Sequence, residues 1–175
     1  MNKSGLHRNT VLLMFSLALL VISYPTHAGV AGAFAKGKTH FAIFGGNASA
    51  FNDNYVVLGA SIRYYFFDGL NLGIAAETWT GGNPDITKVT PSIQYVFFQP
   101  SVVKPYIGAF YRRNYIENRE DLESTGARAG VYIASGANAF IGIGAVYESY
   151  LSCDEAIYIS CEDDVYPEFS FSFVF

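Results

Sequence analysis

Charge is scarce in this chain. Charged side chains make up 15% of its 175 residues, against about 25% in an ordinary soluble domain. That is too few to cover a conventional water-facing surface. The 11 bases are outnumbered by 15 acids, which excludes the basic face that nucleic-acid binding requires. Histidine is nearly missing: of three, only His40 lies beyond the first 28 residues. A Ser-His-acid hydrolase needs a base beside its nucleophile, and the neighbours of His40, Thr39 and Phe41, form no nucleophile motif. No apolar run approaches the roughly 20 residues of a membrane-spanning helix. Helical periodicity does not occur after residue 36. Gly45-Gly46 and Gly142-x-Gly144 lie in strand-like stretches with no helix after them, so they offer no phosphate-cradling loop and read as room for packing. No metal-ligand cluster and no cofactor motif is visible, and none is expected.

What the chain has in abundance is Phe (15), Gly (17) and Tyr (13). Its first 28 residues stand apart. Lys3 and Arg8 precede an apolar run from Val11 to Ile22, interrupted only by Ser16, and Thr26-His27-Ala28 closes it with a small-residue pattern. This is the layout of a secretory signal peptide, expected over residues 1–28, with Ala31, Ala33 and Ala35 as later cleavage sites. Residues 29–37 read as a short periplasmic segment and 38–175 as one domain. From Gly29 onward nine bases face fifteen acids, a net charge of −6. Export places Cys153 and Cys161 in an oxidising compartment, where a disulfide is expected. Closing so short a loop stabilises by roughly 2–3 kcal/mol in the chain-entropy view. The alternative, a two-thiol metal site, has no further ligands nearby.

Period-two alternation recurs along the domain, punctuated by turn residues. Eight strands are expected, near Thr39–Asn47, Tyr55–Phe67, Leu70–Thr80, Lys88–Phe98, Pro105–Tyr115, Thr125–Ser135, Asn138–Tyr150 and Val165–Phe175. The second, fourth and sixth connections (Asp68-Gly69, Gln99–Lys104, Gly136-Ala137) are short. The first, third, fifth and seventh are expected to be longer and polar. Short turns on one side and longer loops on the other is the asymmetry of outer-membrane barrels, and an even strand count puts both termini on the short-turn side.

The composition of the two faces separates a membrane barrel from a soluble one. One face is greasy: Val56, Leu58, Ile62 and Tyr64 in the second strand; Leu70, Leu72 and Ile74 in the third; Ile141, Ile143 and Tyr147 in the seventh. The other carries Gly, Ser and Ala with isolated charges. A water-facing surface would be rich in Lys and Glu, whereas a narrow eight-strand lumen has room only for small residues and a few long ones. Arg63, Arg112 and Arg128 with Glu77, Glu148 and Glu168 therefore form an expected internal charge network, because an unpaired buried charge is very costly. Pro91 and Pro167 fall inside strands four and eight, on the greasy face, and cannot donate to a ladder. They either end regular pairing locally or mark a lateral gate. Aromatics near strand ends, among them Tyr64, Phe66, Phe97 and Tyr147, suit interfacial girdles, and His40 reads as an interfacial residue.

On this eight-strand plan, and on Phe169, Phe171, Phe173 and Phe175 at alternate positions of the last strand, the chain resembles the small eight-stranded outer-membrane β-barrel family, which includes OmpX and the transmembrane domain of OmpA. The resemblance covers about residues 38–175. It implies a closed antiparallel up-and-down transmembrane β-barrel in the outer membrane. It implies that the terminal Phe pattern is the signal read by the barrel-assembly machinery. Other expected partners are outer-membrane lipid and lipopolysaccharide; Arg113, if it points outward, could meet lipopolysaccharide phosphates. A monomer without catalytic activity is expected, with a structural or surface-interaction role and a lumen filled by the charge pairs. The acidic stretches Glu117–Glu123 and Asp154–Asp164 read as solvated loops or as surfaces for a partner or a divalent cation. The alternatives are a small pore, a carrier for hydrophobic molecules, and a barrel enzyme acting on lipid A or phospholipid. For that last reading the His-x-Ser arrangement of lipid A deacylases is missing.

Overall fold

The computed structural model describes residues 32–51, 53–100, 102–136, 138–151 and 163–175. The expected signal peptide and the Cys153–Cys161 pair lie outside these residues. Among the described residues a 3-10 turn, Gly32–Phe34, precedes eight strands: β1 Thr39–Ala50, β2 Asp53–Phe67, β3 Leu70–Thr80, β4 Ile86–Val96, β5 Val103–Ile116, β6 Leu122–Ala134, β7 Ala139–Tyr150 and β8 Asp164–Val174. Each pairs antiparallel with its chain neighbours, and β8 returns to β1 to close the barrel. Closure removes the sheet edges over the paired stretch His40–Ile43 against Phe171–Val174, edges that would otherwise need covering.

Alternation has a local cause: successive side chains of a strand point to opposite faces. The greasy rows of the sequence face outward, with Leu58 65% exposed and Ile62, Leu72, Ile74, Ile107 and Phe169 likewise exposed. The polar rows face inward, where Arg63, Asn71, Gln94, Arg112, Ser124 and Glu148 are buried. Glycine makes room for large inward rings. A Cβ at Gly126 would collide with the Phe110 ring, and one at Gly144 with the Tyr106 hydroxyl.

Two features differ from the sequence reading. The first connection is a two-residue hairpin at 51–52, not a long loop, because β1 and β2 continue pairing through Ala48↔Tyr55, Ser49↔Asn54 and Ala50↔Asp53. Polar composition does not end a strand once the ladder is in register; Phe51, with φ of 51°, makes the turn. The connection between β4 and β5, residues 97–102, is longer than those at 81–85 and 117–121. The long-short asymmetry therefore rests on the β7–β8 connection alone. The prolines act differently from one another. Pro91 leaves a local gap in the β4–β5 ladder between Val89↔Arg113 and Ser92↔Phe110. Pro167 sits in a continuous β7–β8 ladder, but its other edge faces β1, where pairing is confined to His40–Ile43 against Phe171–Val174.

Candidate functional site

Inside the wall, side chains stack in three layers. At the end where Gly32 and Phe175 lie, Phe34 packs among Tyr65, Val96, Tyr106, Tyr132, Phe140 and Val174. At the far end Tyr55, Ile86, Ile116 and Leu122 pack with Phe51, Trp79 and Tyr150. The charged residues occupy the space between these apolar layers.

The Phe34 layer exists because residues 32–37 fold back under the barrel. Gly37 N–H donates to Tyr65 O (2.7 Å), Gly69 N–H to Phe34 O (2.8 Å), and Lys36 N–H to an Asp68 carboxylate oxygen (2.8 Å). This segment is part of the barrel's inner packing, whereas the sequence suggests only a short periplasmic lead-in. His40 is a correction of the same origin. It is 2% exposed, faces inward beside the Phe34, Tyr65 and Phe140 rings, and its Nε2 lies 2.8 Å from Ala33 O. Strand parity turns it away from the outer face of the wall, and the folded-back turn covers it.

In the central layer Arg112 on β5 is held by Glu148 on β7. Nη1 lies 2.6 Å from Oε2 and also donates to Tyr166 Oη at 2.8 Å, while Nε donates to Thr90 Oγ1 at 3.0 Å. Tyr166 donates to Glu148 Oε2 (2.7 Å), and Ser124 donates to Oε1. Arg128 on β6 pairs with Glu168 on β8, Nη1 to Oε2 at 2.9 Å, and Tyr106 Oη donates to Glu168 Oε1 at 3.3 Å. The Phe110 ring lies 5.0 Å from both guanidinium carbons, within reach of cation–π attraction. Charge-assisted hydrogen bonds of this kind are shorter and stronger than neutral ones.

All six residues of the sequence-based network face inward, but their pairing is not a three-by-three match. Glu77 is engaged by Lys88, at 3.9 Å, with Lys88 Nζ 3.7 Å over the Trp79 ring and Trp79 Nε1 donating to Glu77 at 2.9 Å. Lys88 shares the parity of Thr90, Ser92 and Gln94, so alternation alone would have placed it inside. Arg63 has no acidic partner within ion-pair distance among the described residues. It aligns with Gly73, whereas Glu77 aligns with Gly59, four residues further along the strands. Tyr166, Ser124 and Thr90 carry no charge to flag them, and only the closed barrel brings them to Arg112 and Glu148.

At the far rim Arg113 points outward and pairs with Asp121 at 2.8 Å and Glu123 at 4.0 Å. Asp163 accepts hydrogen bonds from Tyr147 and Ser149, which hold its carboxyl below the usual range. Among the described residues no three His, Cys, Asp or Glu side chains converge as metal ligands would.

The closed eight-strand barrel is a fold also seen in solved structures. The chain is similar to the N-terminal β-barrel domain of Pseudomonas aeruginosa OprF, with a TM-score of 0.63 and 17% identity over 80% of this chain and 98% of that one. It has the fold of the eight-stranded outer-membrane barrels. Neisserial surface protein A shares that fold, with a TM-score of 0.53 and 17% identity over 78% of this chain and 94% of its own. No protein-family model matches the chain, and no curated protein matches it in sequence. At such identities the likeness concerns the barrel fold, and the residues inside it must be read on their own terms.

Proposed function

We propose that this barrel is an exported integral outer-membrane protein with a structural or surface-interaction role and a lumen closed to solutes. The observation that supports this reading is the stacking inside the wall: the Phe34 layer, the Arg112–Glu148 and Arg128–Glu168 pairs, and the Tyr55–Leu122 layer follow one another along the axis. The outer belt supports the membrane, because a soluble monomer seldom exposes apolar patches beyond a few hundred Å² and a closed barrel is one of the two ways to span a bilayer. The terminal end then faces the periplasm, and Phe169, Phe171, Phe173 and Phe175 are offered to the assembly machinery. A disulfide between Cys153 and Cys161 would brace the outer loop. Outer-membrane lipid and lipopolysaccharide are the surrounding partners; Arg113 meets lipopolysaccharide phosphate only in competition with Asp121. Among the described residues, His40 is engaged by Ala33 O and aromatic rings rather than by a serine, which gives no support to a Ser-His enzyme. In planar bilayers the purified protein is expected to give no unitary conductance steps. Reproducible steps would overturn the closed lumen.

A carrier for hydrophobic molecules is the second reading, favoured by the β1–β8 seam. Beyond Ile43 and Phe171 neither strand is paired across it, and unpaired backbone at membrane depth is tolerated only where it lines a cavity. The inner side of upper β1 carries Phe44, Gly46 and Ala48, and a Cβ at Gly46 would meet nothing within 4 Å. A spin label at G46C is expected, on this reading, to be relaxed by oxygen dissolved in the bilayer, while a label at S61C, beside the paired part of the seam, is shielded. Equal shielding at both positions would remove the carrier.

A further inference from the structure

Four bases lie inside the wall, Arg63, Lys88, Arg112 and Arg128, all buried. Three acids face them: Glu77, Glu148 and Glu168. Asp164 follows the same parity but is exposed at the far rim. Each of the three acids is already taken, by Lys88, Arg112 and Arg128 respectively. Arg63 is the base left over. It is 6% exposed, and among the described residues it has no ion pair. The carboxylate whose field reaches it is Glu168, whose two oxygens are occupied by Arg128 and Tyr106. A buried guanidinium with no ion pair of its own is strongly destabilising unless another group neutralises it.

On the strands beside Arg63 lies a set of polar atoms without hydrogen-bond partners. Ser61 Oγ, Tyr65 Oη and both polar side-chain atoms of Asn71 are buried without a hydrogen bond, as is Arg128 Nε on the opposite wall. Buried polar groups in native structures are nearly always satisfied, and exceptions point to a bound water or ion. These groups share one stretch of wall. Ser61, Arg63 and Tyr65 alternate along the inner face of β2, Asn71 aligns with Tyr65, and Gly73 aligns with Arg63. Gly73 clears space for the arginine: a Cβ there would fall 2.7 Å from Arg63 Cγ. The Phe34 layer closes the site from below, since Tyr65 is part of it.

We propose that this terminal half of the lumen binds a small anion, an oxoanion or carboxylate, with Arg63 as its counter-charge and Ser61, Tyr65 and Asn71 Nδ2 as hydrogen-bond donors. Water alone would satisfy the hydroxyls and the amide but would not neutralise the guanidinium. The narrow eight-strand lumen limits the ligand to one compact group. The remaining acceptor, Asn71 Oδ1, is met by a water that hydrates the anion. The phosphate of a lipid headgroup has the same chemistry as a free oxoanion, so the source must be separated by experiment.

The test uses the whole mature protein folded in an uncharged detergent. Its thermal midpoint is read from the band shift between folded and unfolded forms on cold denaturing gels. Phosphate is titrated against chloride at constant ionic strength. The wild type is expected to gain several degrees along a saturating curve, and R63M to show no saturable gain. Y65F and N71L, which keep Arg63, are expected to need higher phosphate for the same shift and serve also if R63M does not fold. If free phosphate has no effect but added phosphatidylglycerol raises the wild type and not R63M, the site stands and takes a headgroup phosphate. Phosphate strengthens apolar burial generally, so parallel gains in wild type and R63M would overturn the proposal. So would a wild type unmoved by phosphate, sulfate, acetate and phosphatidylglycerol alike.

Discussion

Glu148→Leu is expected to lower the unfolding free energy of the barrel by about 3–5 kcal/mol, the range for removing one partner of a buried ion pair. Glu148 is 2% exposed and accepts from Arg112, Tyr166 and Ser124 at once. Its loss leaves the Arg112 guanidinium hydrogen-bonded only to neutral oxygens, those of Tyr166 and Thr90, between two apolar layers. The double replacement Arg112→Met/Glu148→Leu is expected to recover most of that loss. A buried pair is close to neutral against well-packed apolar residues, while a broken pair is not. Urea titrations of the protein in phospholipid vesicles give both numbers. Trp79 is the chain's single tryptophan and sits against Lys88 in the far-end layer, so its fluorescence reports the unfolding of that region. A single replacement costing less than about 1 kcal/mol, the scale of an exposed pair, would mean that the central layer is wet.

Ile74→Arg is expected to cost about 2–4 kcal/mol, the cost of a basic side chain at the bilayer midplane on a barrel's lipid face. Ile74 is 51% exposed, near the middle of β3, aligned with Ile62 on one side and Pro91 on the other. Thr80→Arg, at the far end of the same strand and also exposed, is expected to cost about 0–1 kcal/mol, as near an interface. The gradient between the two positions matters more than either value. In water both substitutions would be nearly neutral, since exposed positions away from special features tolerate change within about 0.5 kcal/mol. Equal, small effects in the same vesicle titration would place water, not hydrocarbon, outside the wall.

The two experiments probe opposite faces of one strand pattern, and that pattern is what a linear reading grasps best. Leu72 and Ile74 face out and Asn71 and Gly73 face in because the backbone alternates, whatever the neighbouring strand does. The eight strands were legible for the same reason. Their ends were less so: β1 and β2 run on to Ala50 and Asp53 because Ala48–Ala50 and Asp53–Tyr55 stay in register across the ladder. Lys88 could have been found from parity. Phe34 could not, because its place under the barrel depends on Gly37 meeting Tyr65 and Gly69 meeting Phe34 across long stretches of chain.

The partners of the inner charges belong to that second class. Alternation, face composition and turn residues are local properties, so the sequence alone determined a closed antiparallel barrel, greasy outside and charged within. Height along the axis is not local. It follows from the stagger of each strand on the next, accumulated around the closed wall. Only the tertiary structure therefore decided that Glu77 meets Lys88, that Arg63 meets no acid among the described residues, and that the β1–β8 seam is paired over His40–Ile43 alone.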